Sequence, residues 1–237
     1  MLTTGQAPRT DLVPAMREVM RSRMEIVEAG VLDQLRPEEI REMAPRDGDM
    51  EIYVRLRDGA AIVGPRSIRP RMQALVDEVV AERRPSFIVV LCGLDWSDLR
   101  SPVPIVDPGT LFPAIVSSIA HGRRLGVIKP LAGQKDWARK QFADRGIDAT
   151  IAVASPYVAE LRLAQAAEAA TELRNANVDL IWMTCVGMDE PMREIVAGIT
   201  GRPVILARTL LARVVDELAS GAADVATLRP VAVAAVR

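Results

Sequence analysis

The chain contains two cysteines, Cys92 and Cys185, and each ends a short apolar run that is followed within two residues by a glycine. Such runs, bounded by a residue that breaks regular structure, are typical of buried parallel strands. Open α/β sheets bind ligands at the carboxyl ends of their strands. Both thiols are therefore expected at places suited to chemistry. A thiolate and a thiol on opposite sides of a carbon acid can remove a proton from one face and return one to the other.

The elements that position these thiols follow from the rest of the pattern. Apolar strand-like runs alternate with helix-length amphipathic stretches, which predicts an α/β fold with mainly parallel sheets. A β-hairpin with an Asp58-Gly59 turn is predicted over residues 51–63, where it interrupts this alternation. Gly5 lies 87 residues before Cys92, whereas the equivalent turn at Pro130 lies 55 residues before Cys185. The excess is about the size of the hairpin region, so a duplicated unit with one insertion explains the spacing.

We therefore predict two similar α/β domains with parallel four-stranded sheets, related by a pseudo-twofold axis. The first domain is expected to comprise residues 1–113 and 207–237, with the hairpin insertion at about 31–66, and the second to comprise residues 114–206. This packing would bring the two thiols face to face across the cleft between the domains. A helix is predicted over residues 11–29. The apolar tail 231–236 is compatible with an edge strand, a subunit contact or a packed terminus.

Composition excludes several classes of function. Thirty basic and 31 acidic residues give a net charge of −1, so nothing favours binding to nucleic acid or to an anionic membrane. No apolar run approaches the roughly 18 residues of a membrane span, and the first residues lack a signal pattern. We expect a cytoplasmic protein with reduced thiols. Two thiols and one histidine are too few for a zinc site, and no glycine-rich phosphate loop is present, so neither metal nor cofactor is predicted.

Five other positions have residue types that could contact a ligand. Arg9 lies near the start of the first predicted helix, where the helix dipole disfavours a cation by up to about 1 kcal/mol, so it either binds an anion or reaches into solvent. Ser155 and Tyr157 follow a strand, where ligand contact and helix initiation are both consistent with the pattern. Lys129 ends another strand, where it either pairs with an anionic ligand or is exposed, and exposure is favoured. Arg55 either covers a cleft or lies on a solvated strand face, and the solvated face is favoured.

Several segments together resemble one known family. They are Leu2–Arg9, Arg55–Gly59, Ala154–Tyr157 and Cys185–Gly187. The chain resembles the AroM family, within the Asp/Glu racemase superfamily, whose members are cofactor-independent enzymes of two similar α/β domains with one catalytic cysteine in each. This resemblance implies that Cys92 and Cys185 are the catalytic cysteines.

The same resemblance implies a substrate carboxylate held by the loop Thr4, Gly5 and Gln6, with Arg9 close by. The expected substrate contacts also include Ser155, Tyr157 and the residues that follow the two cysteines, which are Gly93, Leu94, Val186 and Gly187. Amino-acid racemases of the superfamily usually have Cys-Asn-Thr and Gly-Cys-Thr-His at the two cysteines. This chain lacks those hydroxyl and amide groups, which points to a small carboxylic acid other than aspartate or glutamate.

The favoured hypothesis is a racemase, epimerase or isomerase of a small carboxylate that works by two-cysteine proton transfer. One alternative uses a single cysteine, Cys185, for decarboxylation or cis/trans isomerisation. Another alternative is a non-catalytic protein that binds a small carboxylate on the same scaffold. The sequence leaves the formation of a homo-oligomer open.

Overall fold

The computed structural model describes residues 1–227, so the predicted role of the tail 231–236 lies outside the described residues. Ten strands are present in the described part: β1 Leu2–Thr3, β2 Ala29–Gly30, β3 Ile52–Leu56, β4 Gly59–Val63, β5 Ile88–Val89, β6 Ile105–Val106, β7 Leu125–Lys129, β8 Ala149–Val153, β9 Leu180–Met183 and β10 Val204–Leu206. Eight α-helices accompany them: α1 Val13–Val19, α2 Pro37–Arg41, α3 Pro65–Arg83, α4 Pro108–Ile119, α5 Lys135–Ala143, α6 Arg162–Asn175, α7 Glu190–Thr200 and α8 Ala207–Thr227.

The strands form the predicted parallel sheets in two halves of the chain. In the first half, β1 pairs with β2 and β5 pairs with β6, and a bridge between Leu2 and Val90 joins the two pairs in the order β2-β1-β5-β6. The second half has the order β8-β7-β9-β10. Numbered from the start of each half, with the hairpin strands β3 and β4 left out, both orders are 2-1-3-4. Equal strand order in the two halves agrees with the duplicated α/β plan.

The hairpin forms where the local sequence signal places it. Strands β3 and β4 are antiparallel, with Leu56 opposite Gly59. Gly59 has a φ of +111°, a conformation that favours glycine in this tight turn. Ile52 and Val54 are buried on one face of β3, so the alternating pattern directs these side chains into the core of the first half.

The long helix predicted over residues 11–29 is wrong, because α1 ends at Val19 and Met20 is already extended. The Asp216 carboxylate, on α8, accepts hydrogen bonds from the backbone N–H groups of Arg21 and Ser22 and from the Ser22 hydroxyl. These distant contacts satisfy the backbone beyond α1 in an irregular conformation. The chain then enters β2, a two-residue strand that the sequence analysis did not identify.

One hydrophobic core joins the two halves. It contains buried residues of α1, α4, β7, β9 and α8, and α8 packs against α1. The predicted domain boundaries stay a prediction. Within residues 1–227, no helix has both the length and the apolar content needed to cross a membrane.

Candidate active site

A cavity lies at the carboxyl ends of the central strands of both sheets. The part of this cavity that the centres of water molecules can occupy has a volume of about 70 Å³, which is room for roughly five waters or a small organic acid. Thr4 follows β1, Cys92 follows β5, Lys129 ends β7 and Cys185 follows β9. The two halves therefore contribute equivalent strand ends to one pocket, as the strand-end argument predicts.

The predicted contact residues divide into two groups. Eight line the pocket: Thr4, Arg9, Cys92, Gly93, Leu94, Tyr157, Cys185 and Val186. Four of the predicted contacts do not line it: Gly5, Gln6, Ser155 and Gly187. Whether any of the twelve contacts a substrate stays a prediction.

The cysteine loops of the two halves approach each other closely. A Cβ placed on Gly93 would lie 3.3 Å from the Thr184 carbonyl oxygen. Both thiols are free and partly buried. Burial raises the pKa of Cys92 to about 11; the Leu94 backbone N–H opposes this shift and a negative charge at Cys185 adds to it. Cys92 therefore keeps its proton at neutral pH.

Cys185 has hydrogen-bond partners of its own. Its Sγ lies 2.9 Å from the Tyr157 hydroxyl oxygen and accepts the Gly187 backbone N–H at 3.4 Å. Burial raises the pKa of Tyr157 well above its usual range, and a negative charge at Cys185 raises it further. Because Tyr157 stays protonated, its hydroxyl is the donor whenever Cys185 is a thiolate. Cys185 thus has a hydroxyl donor beside its sulfur, and this donor comes from residue 157, a segment of the chain distant in sequence from the cysteine.

The loop that carries Cys185 is held by a buried arginine that the sequence analysis did not identify. Arg208, only 7% exposed, donates from Nε to the Val186 carbonyl at 3.0 Å and from Nη2 to the Gly187 carbonyl at 2.9 Å. Asp189 caps α7 by accepting the Met192 N–H, so the loop is fixed at both ends. Gly187 therefore acts through its backbone, which binds both Cys185 and Arg208.

Tyr157 is covered by the hairpin. The ring of Tyr53 on β3 stacks on that of Tyr157, with centroids 3.5 Å apart and planes 6° from parallel. Gln134 donates to the Glu51 carbonyl at 3.1 Å and ties the hairpin to the second half. Arg55 is half-buried and lines the pocket, so the favoured place on a solvated strand face is wrong. The hairpin forms a wall of the pocket, which local sequence patterns do not indicate because the contact spans both halves.

Gly5 and Gln6 hold this hairpin in place. A Cβ on Gly5 would lie 2.0 Å from the Arg55 carbonyl oxygen, so only glycine permits the approach. The Gln6 N–H donates to the same oxygen at 2.9 Å, and its side chain binds the Leu32 carbonyl and the Arg57 N–H. In this structure both residues position the wall of the pocket. The Ser155 Oγ accepts the Tyr157 N–H at 3.4 Å, and the Ser155 N–H donates to the Gln165 Oε1 on α6 at 2.8 Å.

Arg9 is buried and does not extend into solvent, since only 5% of the residue is exposed. Its Nε and Nη2 each donate to the Asp11 carboxylate at 2.8 Å, and Nη1 donates to the Thr3 hydroxyl at 3.2 Å. The guanidinium lines the pocket, but its charge is already balanced by Asp11.

The predicted exposure of Lys129 is wrong, because the residue is only 7% exposed and lines the pocket. Its Nζ lies 5.0 Å from the centroid of the Trp137 ring. Burial lowers the pKa of Lys129 to about 8, and negative charges at Cys185 and Cys92 would raise it. The sequence indicates that Lys129 lies at a strand end, but it does not indicate that the Trp137 ring covers the residue.

The two α/β halves have equal strand order, and each has a thiol after the equivalent strand. With both thiols in one pocket, this arrangement is that of an Asp/Glu racemase-like scaffold. The chain belongs to the AroM family, since the family model described as AroM protein matches residues 1–219. No functionally curated protein matches the chain in sequence.

Solved structures show the same fold at low sequence identity. An aspartate racemase from Picrophilus torridus superposes with a TM-score of 0.54 at 12% identity, covering 93% of this chain and 94% of its own. An allantoin racemase from Pseudomonas fluorescens gives a TM-score of 0.50 at 16% identity, covering 95% of this chain and 90% of its own. The likeness extends over nearly the whole chain and shows that it has an Asp/Glu racemase-like fold.

Proposed function

We propose that the protein is a cofactor-independent racemase, epimerase or isomerase of a small carboxylic acid, in which Cys92 and Cys185 exchange protons with one carbon atom. The observation that carries this proposal is the pair of thiols in one pocket, at equivalent strand ends of the two halves. Structural neighbours named as aspartate and allantoin racemases support the reaction class. A cytoplasmic location, where thiols stay reduced, belongs to the same proposal.

The surroundings of the thiols assign them different starting roles. Cys185, with the Tyr157 hydroxyl and the Gly187 N–H beside its sulfur, acts as the thiolate base. It removes the proton next to the carboxylate, and the electron pair of the C–H bond moves into the carboxylate to give an enediolate. Cys92, whose pKa of about 11 keeps it protonated, delivers its proton to the opposite face. The product has inverted configuration, Cys185 is a thiol and Cys92 a thiolate.

Deuterium exchange tests this proposal without knowledge of the natural substrate. The protein is incubated in D2O with a panel of 2-hydroxy, 2-amino and 2-methyl carboxylic acids. We expect at least one acid to gain deuterium at carbon 2 and to lose optical activity. Cys92→Ser and Cys185→Ser should each abolish the loss of optical activity, because each variant lacks one of the two bases. A panel with neither deuterium uptake nor racemisation refutes the proposal.

The unequal surroundings of the thiols favour a second candidate, in which Cys185 alone works in decarboxylation or cis/trans isomerisation. The Tyr157 hydroxyl lies 2.9 Å from the Cys185 sulfur, whereas the side chains of Thr4 and Trp96 lower the pKa of Cys92 by less than burial raises it. Under this candidate Cys92→Ser keeps most of the turnover, whereas Cys185→Ser loses it. Loss of turnover in both variants excludes this candidate in favour of the two-cysteine reaction.

A further inference from the structure

Lys129 is a buried cation in the pocket with no carboxylate partner among the described residues; the groups of the chain whose negative charge would raise its pKa are the thiols Cys185 and Cys92. No salt bridge or hydrogen bond from its Nζ is present among the described residues, and its observed neighbour is the Trp137 ring. A buried ammonium without a counter-ion is costly, and a ligand anion that pairs with it removes that cost.

Two other basic groups near the cysteines are already engaged. Arg9 is bound bidentately by Asp11, and Arg208 donates to the backbone carbonyls of the Cys185 loop. Arg55 has no salt bridge or side-chain hydrogen bond among the described residues, but it is only half-buried and, after Arg9, helps to lower the pKa of Asp11. Lys129 is therefore the buried cation of the pocket that lacks a carboxylate partner within residues 1–227.

The residue type also fits a receptor for a small anion. The chain has 27 arginines and only three lysines, Lys129, Lys135 and Lys140, yet the cation at the end of β7 is a lysine. An ammonium is a compact point charge, whereas a guanidinium is a broad planar fork. In a cavity of this size, the compact group leaves space for a carboxylate beside the two thiols.

We propose that the Lys129 ammonium is the group that receives the substrate carboxylate and holds it between Cys92 and Cys185. This inference rests on the proposed function, in which the pocket receives a small carboxylic acid. It replaces the loop Thr4–Gln6 as the principal carboxylate holder, because Gly5 and Gln6 contact the hairpin and do not line the pocket, which leaves Thr4 alone of the three. Opposite a carboxylate that becomes an enediolate, the ammonium stabilises the added negative charge.

The charge of Lys129 is pH-dependent near neutrality. The titratable and charged groups that share its pocket are Cys92, Cys185, Tyr53, Tyr157, Glu51, Arg9 and Arg55. Burial lowers the pKa of Lys129 to about 8, so the cation is present at pH 7 and is lost as the pH rises through 8. A pocket that attracts carboxylates through Lys129 should lose this attraction over the same interval.

Two alkylating reagents test the inference without a known substrate. Iodoacetate and iodoacetamide carry the same leaving group and differ in charge, so the ratio of their rates at Cys185 measures attraction of a carboxylate. The rates are followed in the full-length protein by peptide mass spectrometry. At pH 7 we expect Lys129→Gln to lower the iodoacetate-to-iodoacetamide ratio by about tenfold or more, the effect of removing one adjacent charge from a partly buried site.

Three variants make the outcome specific. Lys129→Arg should keep a high ratio that no longer falls between pH 7 and 9. Lys140→Gln is the matched control, because Lys140 is exposed and paired with Asp144, and should leave the ratio unchanged. Arg55→Gln should change the ratio much less than Lys129→Gln does.

The inference is overturned if Lys129→Gln leaves the ratio unchanged, if it slows both reagents equally, or if Arg55→Gln produces the larger fall. Its failure is distinguishable from failure of the proposed function. Deuterium exchange with an unchanged alkylation ratio removes only the role of Lys129. A lysine-dependent ratio without any exchange leaves a carboxylate-binding pocket and removes the catalytic proposal.

Discussion

Replacement of Tyr157 by phenylalanine removes the hydroxyl beside Cys185 and keeps the ring that stacks on Tyr53. The hydrogen bond spans 2.9 Å, and the high pKa of Tyr157 makes the hydroxyl the donor toward a thiolate. A hydrogen bond to a charged group contributes about 1.5–3 kcal/mol, which corresponds to roughly tenfold to hundredfold in an equilibrium constant. A sulfur that loses a hydrogen-bond donor is also more nucleophilic, which offsets about half of this free energy in the rate. We expect Tyr157→Phe to lower the alkylation rate of Cys185 at pH 7 by about threefold to tenfold.

The assay is the rate of alkylation by neutral iodoacetamide, resolved for Cys185 by peptide mass spectrometry. Tyr53→Phe is the matched control, since it removes a hydroxyl from the other ring of the stack, for which the structure shows no hydrogen bond to Cys185. Circular dichroism checks that both variants are folded. Equal alkylation rates at Cys185 for the unmodified protein and Tyr157→Phe would refute the assignment of the hydroxyl as a thiolate donor.

Three further outcomes follow from the contacts described. Gly5→Ala places a Cβ 2.0 Å from the Arg55 carbonyl oxygen, so denaturant unfolding should show a loss of about 1–3 kcal/mol, and an unchanged midpoint would contradict the close approach. Arg208→Met removes two hydrogen bonds and leaves the Val186 and Gly187 carbonyls unpaired. The free energy of unfolding should fall by about 1–3 kcal/mol for each carbonyl that loses its donor. Arg213→Met, on the exposed side of α8, is the control. The pKa of Lys129 is lowered on folding to about 8, so above this pH the unfolded state binds more protons than the folded state. The free energy of unfolding of the unmodified protein should therefore rise by up to about 3 kcal/mol relative to that of Lys129→Met as the pH increases from 8 to about 10.5. Parallel curves of stability against pH for the two proteins would contradict the buried ammonium.

Sequence analysis is accurate where the signal is local or repeated. The hairpin follows from alternation and the Asp58-Gly59 turn, and both cysteines follow strands because the apolar runs and breakers are contiguous in sequence. The equal strand order agrees with the spacing of two halves. Each of these features depends on residues close together in the chain or on a comparison of the chain with itself.

The missed features depend on contacts between distant segments. The early end of α1 depends on Asp216, almost 200 residues away, and the two residues of β2 are too few to give a periodic pattern. Lys129 is buried because Trp137 and the hairpin close over the end of β7. Propensity and periodicity contain no information on such cover, so the pocket wall and its lysine became visible only in three dimensions.

The hairpin is present in only one half, so two thiols at equivalent strand ends have different surroundings. For a substrate with a single stereocentre, the two enantiomers have equal free energy in solution, and the ratio kcat/KM must therefore be identical in the two directions. The individual constants are free to differ, because Tyr157 and Tyr53 stand on the Cys185 side alone. The enantiomer that is bound more tightly must then be converted more slowly, in equal proportion. An internally duplicated scaffold can thus give a reaction whose saturation kinetics are unequal in the two directions although its equilibrium is even.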